Sequence, residues 1–209
     1  MRQSKLFGKT RKDISQDEKS INSQLLTRAG YIEKQMAGVY NYLPLGLKVF
    51  RKVENIIREE MNKIGAQEIL MTALQAKELW EITGRWKEME EIMYQFKDHH
   101  GSEIGLGTTN EEVVTDVVKK HLSSYKDLPI YLYQIQSKFR DEKRPKAGLL
   151  RGREFVMKDL YSFNKDEKNM SIFYQKTHKA YLKIFNRLGL KAFSVEASGG
   201  DMSKEYSHE

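Results

Sequence analysis

Hydrophobic positions recur with the period of an α-helix in three long segments of the chain. From Pro44 to Gly65 they recur every three or four residues, which predicts one amphipathic helix that ends at glycine. Further helices are predicted from Glu111 to His121 and from Asp166 to Leu188. The predicted core side of the last helix comprises Ile172, Phe173, Tyr181, Ile184, Phe185 and Leu188.

The first 30 residues are predicted to form an arm, residues 1–14, followed by a short helix. Ser15, with Asp17 and Glu18 after it, has the pattern of a helix start, and Gly30 is a typical stop. The apolar face of this helix, which needs a packing partner, would comprise Ile21, Leu25 and Leu26.

Alternation of large and polar side chains predicts strands elsewhere. It runs from Tyr131 to Phe139 and resumes between Phe155 and Phe163, which indicates two antiparallel strands joined by a basic loop. A short buried strand, Glu68 to Met71, directly follows the long helix, and residues 92–101 read as a hairpin arm. Strands that return through hairpins, with helices between them, predict an α+β fold with an antiparallel sheet flanked by helices.

Trp80 and Trp86 lie in the motifs Glu-Leu-Trp and Gly-Arg-Trp on either side of a predicted short helix. They could be packing anchors or walls of a pocket. The pattern alone leaves both open.

Composition narrows the classes of protein. The 209 residues suit a single domain, and 36 Lys and Arg against 29 Asp and Glu give a net charge of +7. That charge favours polyanions such as nucleic acid, although a solvated lysine-rich surface explains it equally well. Without cysteine there is no disulfide and no thiolate metal site, and the five histidines lack ligand spacing, so no zinc is expected. No apolar run approaches the ~18 residues of a membrane span, and a cytoplasmic protein is expected.

The predicted hairpin at residues 131–163 carries side chains that fit a nucleoside triphosphate. Arg140 and Arg151 offer donors to anionic oxygens, Phe155 offers a flat surface for a base, and Glu142 can accept from an exocyclic amine. The alternative is a charged hairpin in which Arg140 pairs with Glu142 or Asp159 and Phe155 lies in the core.

Thr109 and Glu111 precede a predicted helix and place a hydroxyl and a carboxylate two residues apart. On a loop this spacing lets both oxygens converge on one small cation. The alternative is a helix N-terminus, with Thr109 as the cap and Glu111 and Glu112 near the positive end of the helix.

The hairpin motif, Phe139-Arg140-x-Glu142 followed by Arg151-x-x-x-Phe155-x-x-x-Asp159, resembles the second signature of class II aminoacyl-tRNA synthetases. The helix and strand from Pro44 to Met71 are similar to the first signature, which forms the dimer interface in that family. The resemblance therefore implies a homodimer through this segment. A core helix within a monomer is the alternative.

The whole chain resembles bacterial-type prolyl-tRNA synthetases, whose Thr-x-Glu loop matches Thr109 and Glu111. Threonyl relatives use a zinc-ligand cysteine, which this chain lacks. Other segments that carry the resemblance are Gln3-Ser4-Lys5, Leu79-Trp80, Gly84-Arg85-Trp86, Ser123-Ser124-Tyr125-Lys126, Leu128-Pro129, residues 134–139, Met157-Lys158-Asp159 and Tyr161-Ser162-Phe163.

The resemblance implies ATP-dependent activation of proline to prolyl-adenylate and transfer to tRNA(Pro), with proline, ATP and tRNA(Pro) as partners. Mg²⁺ would accompany the phosphates, and no residue would serve as a metal ligand. Arg140 would be catalytic, bridging the carboxylate of proline and the α-phosphate. The other roles implied are the adenine amine for Glu142, stacking on adenine for Phe155, the γ-phosphate for Arg151, and the ammonium of proline for Thr109 and Glu111.

The sequence departs from the family pattern in three places. Proline is usual where Thr72 and Thr108 stand, and an Arg-Phe pair is common where Lys146 and Ala147 stand. The first change bears on rigidity of the dimer strand, the second on how firmly the Thr109 loop is held. The third removes an aromatic contact near the nucleotide and the tRNA acceptor end.

Residues 1–209 are expected to be the N-terminal portion of a class II catalytic domain, with the first two signatures. The third signature, an editing insertion and an anticodon-binding domain are not found in them, so a truncated chain is expected. An alternative is a non-catalytic synthetase paralogue or fragment that dimerises or binds tRNA. A further alternative is an adenylate-forming ligase acting on a small acid or a protein lysine.

Overall fold

The structure is a computed structural model that describes residues 2–13, 18–198 and 206–209. The α-helices in these ranges are α1 (Ile21–Arg28), α2 (Pro44–Lys63), α3 (Lys77–Ile82), α4 (Arg85–Glu88), α5 (Glu111–His121) and α6 (Glu167–Arg187). The strands are β1 (Ile32–Met36), β2 (Val39–Tyr42), β3 (Gln67–Glu68), β4 (Leu74–Ala76), β5 (Gln95–Lys97), β6 (Glu103–Leu106), β7 (Ile130–Phe139), β8 (Glu154–Phe163), β9 (Glu196–Ser198) and β10 (Tyr206–His208). Short 3-10 helices span Gln3–Lys5, Tyr125–Asp127 and Gly148–Leu150.

The centre of the fold is the long hairpin of β7 and β8, which pair antiparallel over their full lengths from Ile130 opposite Phe163 to Phe139 opposite Glu154. The predicted hairpin and the α+β fold class are confirmed. β3 adds a parallel strand to β7, because it follows α2 directly instead of returning through a tight turn. The β5–β6 hairpin, extended by β4, confirms the predicted arm.

Helices α2 and α6 cover one face of the hairpin. Side chains alternate along a strand, so Tyr133 and Ile135 of β7 pack into the helix layer. The buried members of this core are Met61, Ile64, Ala66, Tyr133, Phe173, Ala180 and Ile184. The intervening residues of β7 point to the opposite face, which α5 covers near Leu132 and leaves polar towards Phe139. We call this polar part the site face.

Helix α6 has the predicted bounds, with Asp166 as its cap: the carboxylate accepts from the Asn169 N–H at 2.7 Å. Its predicted core side is correct for Phe173, Tyr181, Ile184 and Leu188. It is wrong for Ile172 and Phe185, which are 60% and 41% exposed. The buried stripe runs through Phe173, Ala180 and Ile184, and those two residues each lie one position, about 100°, away from it.

Helix α1 begins at Ile21. Ser15 and Asp17 of the predicted start lie outside the described residues, and Glu18 is not helical. On the predicted apolar face, Ile21 and Leu25 are 73% and 58% exposed, so the described residues do not cover them, and Leu26 is half-buried. The buried position is Ser23, because this side of the helix faces the tight turn of the loop between β7 and β8.

The predicted buried strand from Glu68 to Met71 is wrong in extent, and its predicted burial is correct at Met71 but not at Glu68 or Leu70. β3 ends at Glu68 and is exposed, and Leu70 is 77% exposed. Beyond Ile69, whose N–H bonds to the Tyr133 carbonyl, glutamine side chains of β7 replace the backbone ladder. The Met71 N–H donates to Gln134 Oε1 at 3.0 Å, and its carbonyl accepts from Gln136.

The two tryptophans are packing anchors. Trp80 is fully buried and Trp86 nearly so, in a cluster with Met89 and Met93. Trp80 Nε1 donates to Gln75 Oε1 at 2.9 Å, which satisfies its buried N–H. Helices α3 and α4 contain these residues, where the sequence predicted one short helix between them.

Candidate nucleotide and amino acid site

The site face of the hairpin brings polar residues of β7 opposite motif residues of β8. Lys138 faces Phe155, and Gln134 faces Asp159. The backbone N–H of Phe139 donates to the Gly107 carbonyl at 3.1 Å. This bond fastens the loop before α5 to the end of β7, so the predicted nucleotide residues and the predicted ammonium residues lie side by side.

Arg140 directly follows β7, at the open end of the site face. Its N–H donates to the Arg153 carbonyl at 2.9 Å, and its guanidinium lies 5.5 Å from the centroid of the Phe155 ring. Its Nε is buried without a hydrogen-bond partner in the described ranges. An unsatisfied buried donor costs about 1–3 kcal/mol, which an anionic ligand would recover.

The alternative of an ordinary charged hairpin does not match this geometry. Glu142 pairs with Arg151 instead of Arg140, at 2.9 Å between Arg151 Nε and Glu142 Oε2. Glu142 is 11% exposed and Arg151 60%, and Phe155 is half-buried instead of lying in the core. Two predicted ATP ligands thus neutralise each other across the start and end of the loop.

The loop between β7 and β8 is anchored on α1. Asn22 Nδ2 donates to the Ala147 carbonyl at 2.6 Å, and a Cβ on Gly148 would lie 2.0 Å from Asn22 Oδ1. Glycine is therefore required at 148. Ala147 adopts a φ of +54°, a left-handed conformation that is unfavourable for alanine. Lys143 adds an exposed ion pair with Glu91 at 2.8 Å.

Thr109 and Glu111 form the second half of the site. Thr109 is buried, and its Oγ1 donates to Glu111 Oε2 at 2.5 Å, while the Glu111 side chain is 48% exposed. The alternative of a capping threonine is wrong: Asn110 is the cap residue of α5, and Thr109 bonds to the carboxylate instead. Arg85 NH1 lies 3.7 Å from Glu111 but 2.7 Å from Glu112, so its main partner is Glu112.

Beneath these residues lies a buried polar network that the sequence did not identify as functional. Tyr161 donates to Asp159 Oδ2 at 2.6 Å, and Gln134 Nε2 donates to the same oxygen at 2.9 Å. Burial, followed by the bond with Asp159, raises the pKa of Tyr161, so the phenol is a neutral donor. Burial lowers the pKa of Lys138, which Asp159 opposes. The available signal was register, because Gln134, Gln136 and Lys138 alternate onto one face.

Two of the departures from the family pattern, Thr72 and Thr108, lie around the loop before α5. Thr108 is fully buried, and its Oγ1 has no hydrogen-bond partner within residues 18–198 or the shorter described ends. The Thr72 carbonyl accepts from Asn110 Nδ2 at 3.5 Å, a long bond. Both threonines therefore touch the segment that carries Thr109 and Glu111.

Two features are absent from the described part of the chain. In it, no three His, Cys, Asp or Glu residues are grouped so that they could hold a metal ion. None of its helices is long and apolar enough to cross a membrane.

Comparisons with known proteins agree with the sequence motifs. The proline-tRNA ligase of Geotalea daltonii is 53% identical over 209 residues, which is 100% of this chain and 37% of that protein. The proline-tRNA ligase of Staphylococcus haemolyticus is 50% identical over the same span, again 37% of its length. The chain therefore spans just over a third of the curated relatives it matches.

A solved structure is similar in fold. Prolyl-tRNA synthetase of Giardia lamblia in complex with prolyl-adenylate superposes with a TM-score of 0.77 at 19% identity, covering 84% of this chain and 37% of that one. The family model for the tRNA synthetase class II core domain (G, H, P, S and T) matches residues 94–209, more than half of the sequence. The chain belongs to the class II tRNA synthetase core-domain family.

Proposed function

We propose that this chain is the ATP- and proline-binding part of a proline-tRNA ligase. The observation that carries the proposal is the buried, unpaired Arg140 Nε above Phe155, beside the Thr109 and Glu111 pair. The roughly half-identity to proline-tRNA ligases along the entire chain supports the same amino acid.

ATP would bind across the open end of the hairpin. Phe155 would stack on adenine, Glu142 would accept from its amine, and Arg151 would bind the γ-phosphate of a bent ATP. Each of the last two roles requires the Glu142–Arg151 pair to open. Arg151 is mostly exposed, so breaking this pair costs little. Mg²⁺ would be held mainly by phosphate oxygens.

Proline would bind with its ammonium at Thr109 and Glu111. Arg140 would then contact both the proline carboxylate and the α-phosphate, bringing two anions into line for attack on phosphorus. The protein has to align these groups and stabilise the charge that develops on the phosphate oxygens, and no covalent enzyme intermediate is needed.

Transfer of proline to tRNA(Pro), a homodimer and a cytoplasmic location belong to the same proposal. The Pro44–Met71 segment exposes Val49 (47%) and Leu70 (77%), an apolar surface that a second copy would cover. The remaining catalytic and tRNA-binding elements would lie in the portion of the relatives that this chain does not span.

Proline-dependent exchange of labelled pyrophosphate into ATP tests the activity. It should be run on the 209-residue chain and on the chain continued through its natural reading frame. We expect proline to support exchange about a hundredfold or more better than other amino acids, measured as kcat/KM. Exchange by neither form would contradict the proposal and favour a non-catalytic paralogue. Exchange with a different acid would favour another adenylate-forming ligase.

A further inference from the structure

Lys138 is a fully buried lysine on the site face. Lysine is almost never fully buried unless it is paired, because removing an ammonium from water is expensive. Its position on β7, two residues before Arg140, puts the charge directly beneath the proposed proline site.

The Lys138 ammonium has three oxygen neighbours. It donates to Asn110 Oδ1 at 2.5 Å and to Gln136 Oε1 at 2.9 Å, and lies 3.4 Å from Asp159 Oδ1. Two of the three donors of the ammonium are therefore used in hydrogen bonds, and the Asp159 carboxylate lies within ion-pair distance. The side chain is therefore fixed within the protein and is not aimed at a ligand.

Asn110 is the residue through which Lys138 would act. It is fully buried and stands between Thr109 and Glu111. Its N–H donates to the Tyr161 hydroxyl at 3.2 Å, and that hydroxyl donates to Asp159. Asn110 is thus held at its side chain by Lys138 and at its backbone by Tyr161, and both of these residues contact Asp159.

Charge in the network has a second consequence. Asp159 is compensated by Lys138, and Glu112 is compensated by Arg85 at 2.7 Å. Glu111 is the accessible one of these three carboxylates, since its side chain is 48% exposed against 10% for Asp159 and 2% for Glu112. A cationic substrate group would consequently be drawn to Glu111 rather than to Asp159.

We propose that Lys138 is a positioning residue that holds Asn110, and through it Thr109 and Glu111, in the arrangement that receives the ammonium of the amino acid substrate. This inference rests on the proposed function. Lys138 contacts neither substrate, so its removal should weaken proline much more than ATP.

The test compares Lys138→Met with Lys158→Met in the form of the protein that shows exchange. Lys158 lies on β8 facing the helix layer, where it contacts Tyr181, and so controls for loss of a partly buried lysine. We expect Lys138→Met to raise the KM for proline about tenfold or more and to leave the KM for ATP within about threefold. Lys158→Met should leave both within about twofold.

Melting curves separate positioning from unfolding. If Lys138→Met melts below the assay temperature, Lys138→Gln replaces it in the test, because glutamine keeps an N–H donor and removes the charge. Lys138→Gln should then raise the KM for proline and leave the KM for ATP nearly unchanged. Equal rises in both KM values, or a proline KM within about twofold of wild type, would overturn the positioning role. A wild-type protein without proline-dependent exchange would instead overturn the proposed function beneath it.

Discussion

Among single residues, Arg140 bears most directly on the proposed chemistry. Removing one charge-assisted contact in a dry site costs about 2–4 kcal/mol, so Arg140→Ala should slow adenylate formation by roughly a hundredfold to a thousandfold. The measurement is proline-dependent pyrophosphate exchange. Arg144→Ala, on the same loop and exposed, is the control and should be nearly neutral. An unchanged rate in Arg140→Ala would remove it from the mechanism.

Ala147 gives a second prediction at this scale, for stability. Its φ of +54° strains alanine but not glycine, so Ala147→Gly should raise the free energy of unfolding by up to about 1 kcal/mol. The control is Ala37→Gly in the turn between β1 and β2, where φ is not positive and glycine should destabilise. Denaturant unfolding measures the free energy of unfolding of both variants. A loss of stability in Ala147→Gly would contradict the assigned strain.

At the scale of elements, Glu60 ties the end of α2 to the end of α6. Its buried carboxylate bonds to Lys63, Arg187 and Lys183, at 2.8, 2.7 and 3.3 Å. These contacts, Lys63 first, lower its pKa to about 2. A carboxyl group whose pKa is lower in the folded state stabilises the fold fully at a pH above its unfolded pKa. That stabilisation is lost as the pH falls through the folded-state pKa.

Glu60→Gln should therefore lower stability at pH 7 by on the order of 1 kcal/mol, a modest value because Lys63 and Lys183 are exposed. The deficit should shrink between pH 5 and pH 2 as the wild-type carboxylate becomes protonated. Glu59→Gln, at an exposed neighbour that pairs with Arg187, should have a smaller effect. Thermal melts from pH 7 to pH 2 measure the stability difference between each variant and wild type. A difference for Glu60→Gln that does not change with pH would contradict the assigned ion pairs.

Elements with strong periodicity were predictable. The bounds of α2, α5 and α6 and the pairing of β7 with β8 follow from apolar spacing and strand alternation. The strand after α2 was not, because side-chain amides of Gln134 and Gln136 replace its backbone ladder. Apolar periodicity did not predict which face of α1 is buried. The buried face carries the small side chain of Ser23, because the turn at Gly148 packs against it, while Ile21 and Leu25 are exposed in the described residues.

The residues of the candidate site also differ in whether the sequence alone could predict them. Fixed residue types at fixed spacings made Arg140, Phe155, Thr109 and Glu111 candidates for the site. Lys138 was not a candidate, because its proposed role depends on a contact with Asn110, 28 positions away in the sequence. The Glu142–Arg151 ion pair could not be predicted either, because it forms only when the loop between β7 and β8 brings the two residues together, and no local sequence pattern specifies that.

At the scale of the whole molecule, the proposed homodimer predicts a concentration-dependent association through the Pro44–Met71 segment. Leu70 is 77% exposed, so Leu70→Asp should leave the monomer folded and weaken the dimer. Leu190→Asp, at a 57% exposed leucine beyond α6, is the matched control. Sedimentation analysis measures both, and a wild-type chain that stays monomeric at high concentration would contradict the interface.

The central claim is that the proline carboxylate attacks the α-phosphorus of ATP on this site face. Proline labelled with ¹⁸O in its carboxylate tests this claim directly, with the AMP released after hydrolysis of the product analysed by mass spectrometry. We expect one ¹⁸O in the AMP, because the attacking oxygen stays on phosphorus when water attacks the acyl carbon. Unlabelled AMP, or ADP in place of AMP, from the active form of the protein would contradict it.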